Sequence, residues 1–397
     1  MKDVVIAGAA RTAIGTFGGA LKDIHAADLG AIAIKEAVNR AAVAPELVED
    51  VIVGCVGQIA ESAFIARMCA LRAGLPSHSN AYSVNRLCGS GLQAINNAAQ
   101  AIRAGEADII VAAGTENMDQ LPYYVRKARY GYRYGHSQLE DGLLTALTDP
   151  FGNYPMGITA ETVSKRFNVT REEQDRFAFE SQNKAIAAID GGKFKYEIVP
   201  VEIPQRRGET IVFDTDEHPR RGTTLEKLAA LKPAFQDGGT VTAGNSSGIN
   251  DAAAAVVVMS ADKARELGLK PLAYVREQAV AGVDPEIMGF APAPAVKKVL
   301  QKAGLTLNDI DLMELNEAFA SQSVAVIKDL DIDPLKVNVN GGAIALGHPI
   351  GATGCILTVK LLAEMERRAS KYGVVTMCIG GGQGIATIFL KGLKSNQ

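Results

Sequence analysis

The stretch from Gly91 to Ala112, GLQAINNAAQAIRAGEADIIVA, decides the fold class. Leu92, Ile95, Ala99 and Ile102 recur at steps of three, four and three, which lines one face of a helix with apolar side chains. The helix ends near Gly105, and Asp108-Ile109-Ile110-Val111-Ala112 follows as a strand with no polar face. A strand that is apolar on both faces must be covered on both, so the unit predicts a mostly parallel sheet with helices on each side. Upstream, Val4–Ala7 and Asp50–Gly54 read as further strands, and Asp28 as the N-cap of a helix carrying Leu29, Ile32 and Ala33 on one face. Downstream the rhythm breaks near residue 120 and returns near 250. There Ala253–Met259, Asp311–Glu314 and Lys336–Val339 read as strands, and Ala293–Ala303, Glu317–Leu330 and Gly351–Arg368 as helices. Gly373–Cys378 with Gly384–Leu390 reads as a closing hairpin. Both halves read β-α-β-α-β, which suggests duplication of one unit.

Between the halves, Leu121–Gly135 holds five of the ten tyrosines with Arg126, Lys127, Arg129 and Arg133. That composition suits a protein interface, or else a surface loop laid over the body. Ala160–Phe167 and Arg171–Ile189 form a charged helix pair. The turn-rich segment 191–240 carries strand fragments such as Glu197–Val201.

Composition narrows the function. The 397 residues are 47% apolar and 21% charged, with 40 glycines, no tryptophan and a net charge of −3. That balance gives no electrostatic case for nucleic acid or an anionic membrane. Five cysteines, Cys55, Cys69, Cys88, Cys355 and Cys378, are odd in number and lack C-x-x-C spacing, so reactive or buried thiols are expected rather than zinc or disulfides. No apolar run reaches the length of a membrane helix. The opening Met1-Lys2-Asp3 leads straight into strand-like residues, so a cytoplasmic location is expected.

Four stretches set reactive side chains beside loop glycines. In Asn85-Arg86-Leu87-Cys88-Gly89-Ser90-Gly91 a thiol stands at a strand-to-helix turn, where the helix N-terminus stabilises thiolate. The alternative is an ordinary buried cysteine. His348 lies in a glycine-rich turn ahead of a helix, in Asn338–Gly354, and a histidine brought beside a distant cysteine activates it. It can equally be a turn residue satisfied by backbone. Cys378 leaves a strand into the four glycines of CIGGGQG, whose amides can crowd around an anion. Neither phosphate-binding glycine motif is present. Asn316, in Glu314–Phe319, can orient a water or simply cap a helix. Two thiols with one histidine make sense together if one carries an acyl group while the other moves a proton at carbon, as in a Claisen condensation.

The sequence resembles the thiolase family, in its short-chain bacterial acetyltransferase branch. The likeness rests on NRLCGSGLQAI (85–95), NEAFA (316–320), NVNGGAIALGHPIGATG (338–354) and CIGGGQG (378–384), in family order, and spans essentially the whole chain. It implies an α/β protein with the duplicated thiolase fold, five-layered α-β-α-β-α, and an inserted loop domain. The first half would be residues 1–120 plus about 248–270, the insert 121–247 and the second half 271–397.

The resemblance further implies reversible condensation of two acetyl-CoA to acetoacetyl-CoA and CoA, without a cofactor or metal. Cys88 would be the acyl-accepting nucleophile, His348 its base and Cys378 the acid/base at the α-carbon. Asn316 would hold a water that forms one oxyanion hole with His348, and the N–H groups of Cys88 and Gly380 would form the other. CoA would meet Arg220 (or its neighbour Arg221), Ser247 and Ala243 in the insert, with Phe235, Ala318 and Phe319 around the tunnel and Met156 limiting acyl length. One departure is Pro155, where the short-chain pattern usually has histidine. The family also implies a homotetramer, with residues 121–135 in the tetramer contact. A ketoacyl synthase would use two histidines, or a histidine and an asparagine, with one cysteine. A non-catalytic lipid-binding relative need not keep Cys88, His348 and Cys378 together.

Overall fold

The computed structural model describes residues 2–205 and 208–392. Ten strands form one sheet: β1 (Val4–Arg11), β2 (Gly15–Thr16), β3 (Asp50–Gly54), β4 (Asn80–Val84), β5 (Ile109–Asn117), β6 (Asn250–Ser260), β7 (Ala273–Gly282), β8 (Leu312–Leu315), β9 (Tyr372–Ile379) and β10 (Gln383–Leu390). Their order is β8-β9-β10-β7-β1-β6-β5-β3-β4, with β2 on the end of β6. Counted within the first half, this is 3-2-4-5-1. The second half repeats it, with Val337, bridged to Met313 beside β8, in the third place. The two units meet edge to edge where Val5 pairs with Tyr274 and Ile6 with Ala273.

The sheet is mixed rather than mostly parallel. β3 runs parallel to β4 and β5, and β8 to β9, but β6 and β10 run antiparallel to both of their neighbours. A hairpin delivers β10 and a long excursion delivers β6, and neither imposes the helical crossover that parallel neighbours require. Every residue of β5 and of β6 is buried, so both faces are still covered.

Eight helices build the layers: α1 (Ala26–Arg40), α2 (Ile65–Arg72), α3 (Ser90–Ala104), α4 (Met156–Arg166), α5 (Arg171–Asp190), α6 (Pro292–Ala303), α7 (Ala320–Leu330) and α8 (Thr353–Arg368). α1 packs on the first half with α2 beside it, α6 packs on the second with α7 beside it, and α3 and α8 lie against each other between the halves. The middle layer is unusually close. A Cβ on Gly91 would stand 2.9 Å from the Cys355 nitrogen, and one on Gly354 only 2.1 Å from the Leu92 nitrogen. Glycine at both positions lets the N-terminal turns of α3 and α8 touch backbone to backbone.

Several sequence expectations shift. The α1 cap is His25, whose Nδ1 accepts from the Ala27 N–H at 3.0 Å; Asp28 lies in the first turn and pairs with Arg72. Lys336–Val339 is no strand. Asn338 takes a left-handed φ of 44°, and its side chain substitutes for strand backbone, accepting from Leu315 N at 2.9 Å and donating to Leu315 O at 2.7 Å. The helix expected from Glu317 starts only at Ala320, because Glu317 is held in the preceding loop. In the insert, the strand lies at Val201–Ile203, paired with Ile211–Phe213. The excursion between β5 and β6 is tied to β1 by Arg11. Its buried guanidinium meets Asp216 at 2.8 Å and Glu197 at 3.1 Å and lies over the Phe194 ring.

Candidate active site

Cys88 ends the loop that feeds α3. Asn85 Oδ1 accepts from Leu87 N at 3.0 Å, and the Ser90 hydroxyl accepts from Arg86 N at 2.9 Å while donating to Leu87 O at 2.6 Å. These bonds hold Leu87 at a left-handed φ of 46°, which turns the next side chain out of the strand direction. A Cβ on Gly89 would strike Ile379 at 2.7 Å, so the residue after the thiol has to be small. The expectation of a thiolate favoured at rest is not met. Burial pushes the Cys88 thiol up to about 11, outweighing the N–H groups of Gly380 and of Cys88 itself, which pull the other way.

His348 comes from the other half, in the turn just before α8. Asn250, at the start of β6, accepts the His348 N–H at 2.9 Å and so pins the turn to the first half. The ring's Nδ1 is 2.7 Å from Thr353 Oγ1, and its Nε2 is 3.4 Å from Asn316 Nδ2. Burial lowers the imidazole to about 4, which keeps it neutral and able to take a proton. Asn316 stands at the end of β8, its N–H bonded to Thr376 O, and its buried Oδ1 has no protein partner. An orphaned acceptor beside a histidine suits a bound water. The loop carrying Asn316 is fixed by buried Glu317, which accepts from Ser181 at 2.6 Å, Asn338 at 2.8 Å and Ile344 N at 3.2 Å.

Cys378 is fully buried at the end of β9, and burial with Cys88 nearby pushes its thiol well up. The glycines that follow have two separate tasks. Gly381 and Gly382 take φ values of 80° and 85°, the turn that reverses β9 into β10. Gly380 lines the cavity beside Cys88, where its N–H favours the thiolate. Among the described residues no cluster of His, Cys, Asp and Glu is arranged to hold a metal, and no helix is long and apolar enough to cross a membrane.

Cys88, His348, Cys378 and Gly380 line one cavity of about 290 Å³, together with Met156, Phe235, Ala318, Phe319 and Ser247. Phe235 and Phe319 meet edge to face at 6.1 Å. A second cavity of about 510 Å³ adjoins it and shares Phe235, Ser247, Gly248 and Ile249. Ala243, Arg220, Arg221 and Lys227 line this outer part. Arg221 is committed to Asp190 at 2.5 Å, whereas the Arg220 guanidinium has no ion-pair partner among the described residues. Asn316 lines neither cavity directly and reaches the site through His348. Pro155 and Met156 form the wall at the start of α4. The sequence reading missed Asn250, Thr353 and the wall residues Met118, Leu147 and Met288. Thr353 lies inside a quoted motif, but nothing in its type announces a bond to the histidine five residues earlier.

Fold and site together define an α/β enzyme of two like halves whose reactive groups meet at the seam. The model of the thiolase N-terminal domain matches residues 4–262 and that of the C-terminal domain residues 269–391; the chain belongs to the thiolase family. It is 55% identical over 392 residues to an acetyl-CoA acetyltransferase of Syntrophomonas wolfei, covering 98% of each chain. The crystal structure of the Bacillus anthracis acetyl-CoA acetyltransferase superposes with a TM-score of 0.97 at 47% identity, covering 98% of this chain and 99% of that one. The human mitochondrial 3-ketoacyl-CoA thiolase in complex with CoA gives 0.95 at 45% identity, covering 99% and 98%.

Proposed function

We propose that this chain is an acetyl-CoA C-acetyltransferase, joining two acetyl-CoA into acetoacetyl-CoA and CoA and running the reverse thiolysis through an acetyl-Cys88 intermediate. The observation that carries the reading is the inner cavity, where two thiols and one imidazole from three separate segments share a wall. Relatives of the same length named for this activity support it.

Cys88 is protonated at rest, so it loses its proton as it attacks the thioester carbonyl, and neutral His348 receives it. The carbon–sulfur bond to CoA breaks, and the proton leaves on the CoA sulfur. For the second half, the Cys378 proton passes to His348, and the Cys378 thiolate takes the α-proton of a second acetyl-CoA. The resulting carbanion attacks acetyl-Cys88, and the released Cys88 thiolate recovers its proton from His348. The N–H groups of Cys88 and Gly380 stabilise one developing oxyanion. His348 with a water on Asn316 stabilises the other.

Arg220, Ser247 and Ala243 hold CoA along the outer cavity, and Met156, Phe235, Ala318 and Phe319 enclose the acyl end. The insert, residues 121–247, is the CoA-binding domain between halves 1–120 plus about 248–270 and 271–397. No cofactor takes part. The exposed tyrosines 130 and 134 belong to a homotetramer contact, and the enzyme works in the cytoplasm. The test is loss of acetoacetyl-CoA absorbance on adding CoA. Wild type consumes it, and Cys88→Ala does so at least a thousandfold more slowly. A folded wild type without thiolysis overturns the reading.

A further inference from the structure

We infer that Thr353 is the positioning residue that fixes His348 in its Nδ1–H tautomer, leaving Nε2 bare on the side facing Asn316; this rests on His348 being the base proposed above. Three contacts decide it. Thr353 Oγ1 lies 2.7 Å from His348 Nδ1 and 2.9 Å from Pro349 O, and His348 Nε2 lies 3.4 Å from Asn316 Nδ2. A hydroxyl has one proton, and a carbonyl only accepts. With the hydroxyl proton on Pro349 O, the threonine lone pair is left for Nδ1, which must then carry hydrogen. The same tautomer presents a bare Nε2 to the amide N–H of Asn316. The opposite tautomer fails twice. It would use the hydroxyl proton on Nδ1 and set oxygen against oxygen at 2.9 Å, and it would point Nε2–H at another N–H donor.

The setting makes the device rigid. Thr353 is 2% exposed in the first turn of α8, and Asn250 holds the backbone of the histidine. The ring therefore has its plane and its tautomer set from one side, by a hydroxyl that never meets substrate. A histidine with the wrong nitrogen protonated cannot take the Cys88 proton without first being rewired.

The experiment is nitrogen-15 NMR of histidine-labelled enzyme, with the His348 signal assigned by its loss in His348→Asn. Only five histidines are present, so the spectrum is simple. The expected wild-type pattern is neutral, with hydrogen on Nδ1. Thr353→Val is expected to mix the tautomers and lower kcat about 10- to 100-fold with little change in the KM for CoA, the range typical of lost outer-shell partners. Thr353→Ser keeps the acceptor and restores most of the rate. A wild-type signal with hydrogen on Nε2, a Thr353→Val enzyme at full kcat, or valine and serine variants equally impaired would overturn the assignment. If the valine variant does not fold, the wild-type spectrum and the serine variant still decide. Full activity in His348→Asn would instead remove the underlying reading and leave the tautomer result standing.

Discussion

The inner and outer cavities share a wall but are built by opposite means. The inner one brings buried His348 and Cys378 of one half to partly buried Cys88 of the other. Each reactive group is fixed by backbone or by a hydrogen bond: Cys88 by the Ser90 clamp, His348 by Asn250 and Thr353, and Asn316 by the loop that Glu317 holds. The outer one is lined mainly by the long excursion between β5 and β6, with Ile344 from the other half. Its charged groups are exposed: Arg220 lies in a loop, and Lys227 lies in the short helix Leu225–Ala229 with its ammonium on Gly222 O. The inner reactive groups are thus bonded into the fold, whereas the outer charges reach solvent. Changes inside should therefore appear in kcat, and changes outside in KM.

The hardest test of that division is Cys378→Ala. Loss of the proposed acid/base should cost about 10²- to 10⁴-fold in condensation, the usual worth of such a group. Acetyl-CoA should still acetylate Cys88, read by mass spectrometry. A variant that neither condenses nor acetylates would show the two thiols to be one inseparable unit and break the division within the inner cavity.

A smaller effect is expected in acid. Burial holds His348 at about 4, below its ordinary value near 6.5, so the base form persists as the pH falls and is lost only as the pH drops through the lowered value. At pH 5 an ordinary imidazole would be mostly protonated, with about 3% left as base, whereas His348 should remain about 90% available. The pH profile of kcat/KM for thiolysis should therefore stay flat from 7 to 5. A tenfold fall across that range would mean that water reaches the ring and that the inner site is not sealed.

The mildest change is Arg220→Ala. It should raise the KM for CoA about three- to tenfold and leave kcat alone, and the difference should shrink at high salt because the contact is exposed. A drop in kcat of similar size would join the two cavities into one functional unit.

Much of this was legible in the chain. Strands with continuous apolar runs, β5, β6, β9 and β10, announce themselves because both of their faces are covered. β7 does not, since Arg276-Glu277-Gln278 interrupts it, and neither does β4, an edge strand reading Asn-Ala-Tyr-Ser-Val. Lys336–Val339 misleads for the opposite reason: it looks like a strand, yet Asn338 completes the sheet edge with its side chain. At the site, the groups with intrinsic chemistry stand out by type and by neighbouring glycines. The side chains that aim them, Thr353 and Asn250, are ordinary residues whose partners are set by three-dimensional proximity. The thiol of Cys88 was misjudged because a helix terminus is visible in sequence and depth of burial is not.

The place of β6 has a consequence for how the chain is made. It lies between β1 and β5 and pairs with both, yet about 130 residues separate Asn117 from Asn250. At synthesis rates of about 5–20 residues per second, β1 waits roughly 7–27 seconds after β5 is complete for the strand that joins them. During that interval the backbone N–H and C=O groups that β6 will pair, on β1 and on β5, lack that partner. The nascent chain thus carries two unpaired strand edges that its finished, fully paired sheet does not reveal.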